Sequence, residues 1–269
     1  MVTICCGKVK FTDLVAVIFD KDGTLEDSQS FLRELAQKRA RLIDAQIPGI
    51  GEPLLMAFGV QDATLDPTGL MAVGSCRENE IAAAAYIAET GRGWLESLAI
   101  AGSAFADADR YLTPGAETSP LFAGSLEVLK FLSEAGLKLG ILSADSTPGV
   151  EAFIKRHQLS DYLQLGMGVD DSRLTKPDPQ LFLQACQALG VEPGKTLMIG
   201  DSAGDIQMAT EAGAAGTVGI CWGTPPAAPF GKAHVVVVSF AVFKIYFPQR
   251  SLFFPQNYDF FCKKLMKIF

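Results

Sequence analysis

The sequence predicts an α/β fold in which a parallel sheet is interrupted early by a long helical segment. In the second half of the chain, short apolar runs of strand length alternate with amphipathic segments of helix length. Such alternation builds right-handed βαβ units and a parallel sheet. Between the first strand and the next one, residues 25–112 are nearly all helix and loop. The chain is therefore expected to combine a sheet-containing core with an inserted helical unit.

The first half of the chain begins with one apolar strand and continues with helices. Helical periodicity of apolar residues marks the longer segments. Ser75 and Glu78 form a capping-box pattern, which indicates where one of these helices begins. The predicted elements are a strand at 14–19 and helices at 30–45, 53–58, 67–71, 77–90 and 94–111.

The second half of the chain restores the alternation of strands and helices. Thr147 with Pro148, and Asp178 with Pro179, are pairs that begin helices, since proline suits the first helical turn. The predicted strands are 137–142, 162–167, 196–199, 217–221 and 234–238, and the predicted helices are 125–135, 147–157, 178–190 and 203–212.

Composition excludes several classes of protein. The chain has 269 residues, of which 49% are hydrophobic and 20% charged, as in ordinary globular domains. Its net charge of −7 argues against a nucleic-acid partner, because the phosphate backbone is bound by clustered Lys and Arg. No apolar run reaches the roughly 18 residues of a membrane span. The six cysteines match no zinc spacing, and residues 1–11 lack a signal-peptide pattern, so a cytoplasmic location is expected.

Two carboxylates end the first predicted strand. Asp20 and Asp22 stand one residue apart after an apolar run, and Gly23 and Thr24 follow at once. If the backbone stays extended, both carboxylates share an orientation and repel each other. A hard cation such as Mg²⁺ would relieve that repulsion. The alternative is a strand that leads into an ordinary Asp-Gly turn.

Two later segments carry groups that suit a phosphate. Ser143 ends another apolar strand, and its hydroxyl with the backbone N–H of Ala144 could bind a phosphate oxygen. Lys176 precedes a predicted helix, where a cation could neutralise phosphate or keep Asp20 ionised. Taken singly, Ser143 also fits the end of a strand, and Lys176 also fits a solvated surface residue.

A fourth segment ends a further apolar strand in acids. Gly200 lets the backbone approach closely, and Asp201 follows it. Asp205 lies four residues later, in the first turn of the next predicted helix, where it could orient a metal-bound water. A capping role for Asp205 at the helix N-terminus is compatible with that one.

In order and spacing, these four segments resemble the haloacid dehalogenase-like phosphohydrolase superfamily, over roughly residues 14–238. The segment from Lys176 to Asp205 is similar to the phosphoglycolate phosphatase-like branch. The resemblance implies a Rossmann-like parallel sheet with helices on both faces and an α-helical cap inserted after the first motif. The domains are then residues 1–24 and 113–239 as the core, 25–112 as the cap, and 240–269 as a Phe-rich C-terminal extension.

The resemblance also implies roles for the acids. Asp20 would attack phosphorus and form an aspartyl-phosphate, and Asp22 would protonate the departing alcohol and then activate water. Mg²⁺ would be held by the Asp20 carboxylate, the Asp22 backbone carbonyl and Asp201, with Asp205 behind them.

Ser143, Ala144 and Lys176 would bind the phosphoryl oxygens. Dehalogenases of this superfamily lack an acid at the place of Asp22, which favours phosphate ester chemistry here.

Two residues depart from the superfamily pattern. Lys21 stands where an apolar residue is more common, and we expect its side chain to point away from the carboxylates, toward the cap or solvent. There it could tune substrate preference or pair with an acid nearby, and a surface salt bridge is the simpler alternative. Asp145 places a negative charge near the mouth of the site. In the cap, Arg77 and Arg92 flank an Ala-rich helix and could select a carboxylate or second phosphate, although exposed arginines are more often solvated.

The leading hypothesis is a Mg²⁺-dependent phosphatase that hydrolyses a small phosphorylated metabolite. A sugar phosphomutase would use the same aspartyl-phosphate, and a non-catalytic phosphate-binding protein could use the same fold. The sequence leaves the physiological substrate and the oligomeric state open.

Overall fold

A six-stranded parallel sheet forms the centre of the molecule. The computed structural model describes residues 2–62, 64–112, 115, 119–170, 174–222 and 230–246. The strands of the sheet are β3 (Ala16–Phe19), β6 (Lys138–Leu142), β7 (Leu165–Met167), β8 (Thr196–Gly200), β9 (Gly216–Ile220) and β10 (Val235–Val237). They lie in the order β10-β9-β8-β3-β6-β7, and every neighbouring pair is parallel.

The strand order reverses direction beside β3. From β3 the chain builds outward through β6 to β7, then returns to the other side of β3 and builds outward again from β8. Phe19, the last residue of β3, is paired with Ile199 on one side and Ile141 on the other. In open α/β sheets, ligands bind outside the carboxyl ends of the strands at such a reversal. The fold therefore places the binding crevice next to the residues that follow β3 and β8.

Helices cover both faces of the sheet, as predicted. Val17 and Phe19 belong to one buried apolar cluster and Ile18 to another, because side chains alternate along a strand. Helices α6 (Ser125–Glu134) and α7 (Thr147–Arg156) contribute to the first cluster. Helices α8 (Pro179–Leu189) and α9 (Ala203–Glu211) contribute to the second. The predicted fold class is confirmed.

An antiparallel sheet of three strands, β1 (Val2–Cys6), β2 (Val9–Leu14) and β11 (Phe243–Tyr246), was not predicted. The prediction of one strand at 14–19 was wrong at its start, because Leu14 ends β2 and the sheet strand begins at Ala16. Phe243 packs into the same cluster as β3, so the beginning of the Phe-rich segment belongs to the core. Residues 247–269 lie outside the described residues.

The helical unit after β3 has its own apolar core. Its buried cluster is drawn from residues 35 to 108 alone. The elements are α1 (Gln29–Asp44), α2 (Gly51–Phe58), β4 (Val60–Gln61), β5 (Thr64–Leu65), α3 (Leu70–Val73), α4 (Cys76–Glu89) and α5 (Trp94–Tyr111). The capping box at Ser75 and Glu78 forms as predicted, with the Ser75 N–H donating to Glu78 over 2.7 Å. This separate core supports the proposed cap, whose bounds of 25–112 stay a prediction.

Within the described residues, no helix combines the length and the apolar character needed to cross a membrane.

Candidate active site

The predicted acids of the first and fourth motifs follow adjacent strands at the reversal of the sheet. Asp20 comes directly after β3, and Asp201 comes directly after β8. The backbone N–H of Asp20 donates to the carbonyl oxygen of Ile199 over 2.9 Å, which continues the pairing of the two strands. Both side chains therefore reach the same crevice at the edge of the sheet.

Three carboxylates meet there. Carboxylate oxygens of Asp20, Asp201 and Asp205 all lie within 4.8 Å of one another. The ammonium of Lys176 lies 2.8 Å from Asp20 Oδ1 and 2.7 Å from Asp205 Oδ1. When all four groups are ionised, three negative charges face one positive charge. We call these four residues the acid cluster.

The surroundings of Asp20 and Asp201 in the acid cluster disfavour the ionised form of these two carboxyl groups, which raises their pKa values. Burial raises the pKa of Asp20 to about 6; Lys176 opposes this rise, and Asp205 and Asp22 add to it. Burial likewise raises the pKa of Asp201 well above its ordinary value, and the negative charges of Asp20 and Asp205 raise it further. A divalent cation would cancel the excess of two negative charges.

The residue types present fit Mg²⁺. Magnesium prefers oxygen ligands and binds through one or two carboxylates while keeping several waters. The described cluster offers three carboxylates, from Asp20, Asp201 and Asp205. Its chemistry and its excess charge therefore agree with the predicted metal.

Gly23 and Thr24 constrain the position of the Asp201 carboxylate. Gly23 adopts the left-handed conformation with φ 71°, and a Cβ on it would lie 2.0 Å from Asp201 Oδ2. A side chain at position 23 would thus displace the Asp201 carboxylate. The hydroxyl of Thr24 donates to Asp201 Oδ1 over 3.3 Å. Both residues predicted as supporting the site contact or closely approach one acid of the cluster.

The Asp205 carboxylate contacts Ser202 with one oxygen and Lys176 with the other. It closes a capping box at the start of α9: Ser202 Oγ donates to Asp205 Oδ2 over 2.6 Å, and the Asp205 N–H donates to Ser202 Oγ. Its other oxygen faces Lys176. A Cβ on Gly200 would lie 2.5 Å from the Cβ of Asp205, so the strand end is shaped to admit this side chain. The predicted capping role of Asp205 is confirmed, and its role toward a metal-bound water stays a prediction.

Ser143 lies at the same edge of the sheet, directly after β6. It is buried, its N–H donates to the carbonyl oxygen of Met167, and its hydroxyl accepts the N–H of Asp145 over 3.2 Å. Ala144 lies between them in the bend before α7. Phosphate binding by Ser143 and Ala144 stays a prediction.

The prediction that Lys21 points away from the carboxylates was wrong for Asp22. The alternative that it pairs with a nearby acid is confirmed, but the pairs are buried and not on the surface. Lys21 is only 6% exposed, and its ammonium lies 2.8 Å from Asp22 Oδ2 and 3.0 Å from Asp145 Oδ2. The alternation of an extended strand ends at this residue, because the Lys21 carbonyl accepts the N–H groups of Thr24 and Glu26 in a turn. Burial alone lowers the pKa of Lys21, but the charges of Asp22, Asp145 and Glu26 raise it overall.

Sequence reasoning missed Glu26, which lies behind Lys21. The Glu26 carboxylate is buried, lies 3.8 Å from the Lys21 ammonium, and binds Arg156 and His157 on its other side. Burial raises the pKa of Glu26, as does the charge of Asp22. Arg156 lies in the last turn of α7, 130 residues from Glu26, so no local pattern connects them.

Arg77 and Arg92 each form a pair with a neighbour in the helical unit after β3. Arg77 lies 2.9 Å from Glu80, one turn along α4. Arg92 donates to Thr90 over 2.8 Å and lies 3.7 Å from Glu96. These pairs lie within the helical unit, and substrate selection by Arg77 or Arg92 stays a prediction.

Comparison with known proteins agrees with this geometry. Residues 14–213 match the haloacid dehalogenase-like hydrolase family. A phosphoglycolate phosphatase of Shigella boydii serotype 4 is 30% identical over 227 residues, which cover 80% of this chain and 84% of that protein. The phosphoglycolate phosphatase of Escherichia coli K12 is 27% identical over 215 residues, with the same coverage of 80% and 84%.

Solved structures share the fold. A predicted phosphoglycolate phosphatase from Haemophilus somnus superposes with a TM-score of 0.63 at 21% identity, covering 84% of this chain and 94% of that one. A β-phosphoglucomutase from Clostridium difficile superposes with a TM-score of 0.54 at 18% identity, covering 83% and 90%. The resemblance inferred from the four motifs is confirmed: the chain belongs to the haloacid dehalogenase-like hydrolase family, within its phosphoglycolate phosphatase-like branch, and is an enzyme of the hydrolase class.

Proposed function

We propose that the chain is a Mg²⁺-dependent phosphatase that hydrolyses a small phosphorylated metabolite through an aspartyl-phosphate on Asp20. The observation that carries this proposal is the acid cluster at the reversal of the sheet. Its three carboxylates, two of them buried and Asp201 half-buried, lie within 4.8 Å of one another, and Lys176 contacts two of them. The phosphoglycolate phosphatases among the relatives support phosphate ester chemistry and make phosphoglycolate the first substrate to test.

Charge is the main obstacle to this reaction, because an anionic carboxylate must approach an anionic phosphate. Lys176 lies 2.8 Å from Asp20 and would stabilise negative charge on the phosphoryl oxygens as well. Mg²⁺, held by Asp20, Asp201 and the residues around them, would supply the remaining positive charge and help orient the phosphate. In phosphoryl transfer, such positioning and electrostatic stabilisation carry most of the catalysis.

In the proposed first step, Asp20 attacks the phosphorus atom while the bond from phosphorus to the ester oxygen breaks. Asp22 gives its proton to that oxygen, so the leaving group departs as an alcohol. Ser143, with the N–H of Ala144, would hold a phosphoryl oxygen through this step. In the second step, water attacks phosphorus, Asp22 takes a proton from the water, and the bond to Asp20 breaks to release phosphate.

The cap would provide the specificity. It has its own apolar core and follows Asp20 directly in the chain, so it is connected to the site through the turn at residues 21–26. Closing such a unit over the crevice would exclude water and contact the leaving group. Selection of one leaving group by the cap is part of this proposal.

The test is phosphate release from phosphoglycolate and from a panel of other phosphorylated metabolites, with and without Mg²⁺. The proposal expects inorganic phosphate to appear with Mg²⁺, to stop in EDTA, and to resume when Mg²⁺ is restored. Turnover that continues in EDTA would contradict the metal site. An isomerised sugar phosphate formed without released phosphate would identify a mutase instead.

A further inference from the structure

A second group of buried charges lies beside the acid cluster. It surrounds the ammonium of Lys21. Five of its six members have side chains that are less than a fifth exposed, and the exception is Asp145 at 35%. We call it the Lys21 cluster; its members are Lys21, Asp22, Glu26, Asp145, Arg156 and His157.

Lys21 makes its shortest contact in this cluster with Asp22. The ammonium lies 2.8 Å from Asp22 Oδ2, and the Asp22 side chain is 19% exposed. Lysine has a long, flexible stem, so an ordinary lysine at this place would extend into solvent. This one instead folds back onto the residue that follows it in the chain.

Two anchors hold the ammonium from other directions. Asp145 Oδ2 lies 3.0 Å away, and its other oxygen accepts the N–H of Ser146 over 2.7 Å. Glu26 Oε2 lies 3.8 Å away, and the other oxygen of Glu26 binds Arg156 and His157 at the end of α7. Each anchor is itself tied to α7 or to the turn before it. The Lys21 ammonium is thus held by side chains of the protein and not by solvent.

We infer that Lys21 is a positioning residue: its ammonium, anchored by Asp145 and Glu26, holds the Asp22 carboxyl group where it meets the oxygen of the leaving group. This inference rests on the proposed function, in which Asp22 donates the proton. Lys21 itself keeps its protons and forms no covalent bond. As the bond from phosphorus to the ester oxygen breaks, the proton moves from Asp22 to that oxygen.

The need for such an anchor follows from the geometry of proton transfer. A general acid must lie within about 2.6–3.2 Å of the atom that it protonates, or reach it through one water. A misplacement of about 1 Å in an active site can reduce the rate by roughly a hundredfold. Asp22 forms an isolated bridge with Glu26 beside the turn at residues 23–25 and is not part of a regular strand, so contacts with its neighbours orient its side chain.

Leaving groups of different basicity separate this role from a merely structural one. An alkyl phosphate such as glycerol 2-phosphate needs a proton on its departing oxygen, whereas p-nitrophenyl phosphate releases a stable phenolate without one. For a reaction that passes through an aspartyl-phosphate, kcat/KM covers the steps up to departure of the leaving group. Steps and losses common to the two substrates cancel in the ratio of their kcat/KM values, so a change in that ratio between variants reports the loss of protonation of the leaving group.

The experiment measures this ratio in the full-length wild type, Lys21→Met and Asp22→Asn. We expect the ratio of alkyl to aryl phosphate to fall at least tenfold in Lys21→Met, in the same direction as in Asp22→Asn. Lys195→Met is the matched control, because Lys195 forms an exposed pair with Glu192 over 2.9 Å, and its ratio should equal that of the wild type. Equal losses on both substrates in Lys21→Met would overturn the inference.

A charge-balanced variant covers the case in which Lys21→Met does not fold. Lys21→Met combined with Asp145→Asn removes one cation and one anion, and it is compared with Asp145→Asn alone. The same tenfold fall is expected, and its absence would overturn the inference. Failure of the proposed function has a different signature: the wild type would release phosphate from neither substrate, or Asp22→Asn would leave the ratio unchanged.

Discussion

Two groups of buried charge lie side by side at the end of β3, and they balance their charges in different ways. The acid cluster has three carboxylates against the single ammonium of Lys176. The Lys21 cluster has three carboxylates of its own, but Lys21 and Arg156 both oppose them. The acid cluster is left with an excess of two negative charges, whereas most of the charge of the Lys21 cluster is balanced by cations of the chain.

The difference shows that two carboxylates close together in the sequence can have different cationic partners. Asp20 and Asp22 are separated by one residue, yet Asp20 faces Lys176 and Asp22 faces Lys21. A buried carboxylate without a partner is costly, so each group must find positive charge nearby. The unbalanced group is the one expected to bind metal and phosphate, and each prediction below tests that contrast.

The largest effect is expected from the acid cluster. Asp20→Asn removes the proposed nucleophile while keeping the size of the side chain, so turnover of p-nitrophenyl phosphate should fall by at least about 10⁴-fold. Far-ultraviolet circular dichroism should match the wild type. Retained turnover in a folded Asp20→Asn protein would refute the assignment of Asp20.

A smaller loss is expected from crowding the same cluster. In Gly23→Ala the new Cβ would lie 2.0 Å from Asp201 Oδ2, so the Asp201 carboxylate must move, and kcat/KM should fall roughly a hundredfold. The matched control is Gly213→Ala, because Gly213 has a similar φ of 75° and nothing within 4 Å of the added atom. If both variants lose activity equally, backbone strain and not the clash with Asp201 is responsible.

The Lys21 cluster should respond in stability as well as in rate. Lys21→Met leaves three carboxylates facing fewer cations, and removing one partner from a buried charge group costs about 3–5 kcal/mol. Urea unfolding should therefore show a large loss in the free energy of unfolding. Lys195→Met, at an exposed pair, should change it by less than about 1 kcal/mol. Similar values for the two variants would show that the Lys21 cluster does not act as a buried unit.

Mg²⁺ should stabilise the protein more as the pH rises from 5 to 7.5. Asp20 has a pKa of about 6 in the folded protein and an ordinary value of 3.8, and the pKa of Asp201 is raised too. Between pH 3.8 and about pH 6 the folded state therefore binds more protons than the unfolded state. The free energy of unfolding of the metal-free protein falls as the pH rises through this range.

Mg²⁺ at 100 times its dissociation constant adds about 2.7 kcal/mol. At pH 5 it must first displace protons, so the rise in Tm should be smaller there. A rise in Tm that does not change with pH would contradict the proposed role of Asp20 and Asp201.

The sequence predicted the acid cluster better than its neighbour for a physical reason. Asp20 and Asp201 each end an apolar strand, and parallel strands bring their carboxyl ends to one edge. That rule needs no knowledge of side-chain conformation. The order of the four motifs then identified the family, and the comparisons confirm it.

The Lys21 cluster could not be predicted in the same way. The orientation expected for Lys21 assumed an extended backbone, but the chain turns there. Its partners Glu26 and Arg156 are 130 residues apart and share no periodic pattern. The hairpin of β1 and β2 differs, because it is local: Gly7 and Lys8 join two strand-like runs, and this turn signal could have indicated it. Only its pairing with β11 joins distant parts of the chain.

Calorimetric titration of the metal-free protein with Mg²⁺ tests the central claim most directly. The account predicts one Mg²⁺ per chain, with affinity at least tenfold weaker in Asp201→Asn and unchanged in Asp145→Asn. Equal affinity in the wild type and Asp201→Asn, or loss of binding in Asp145→Asn alone, would contradict it.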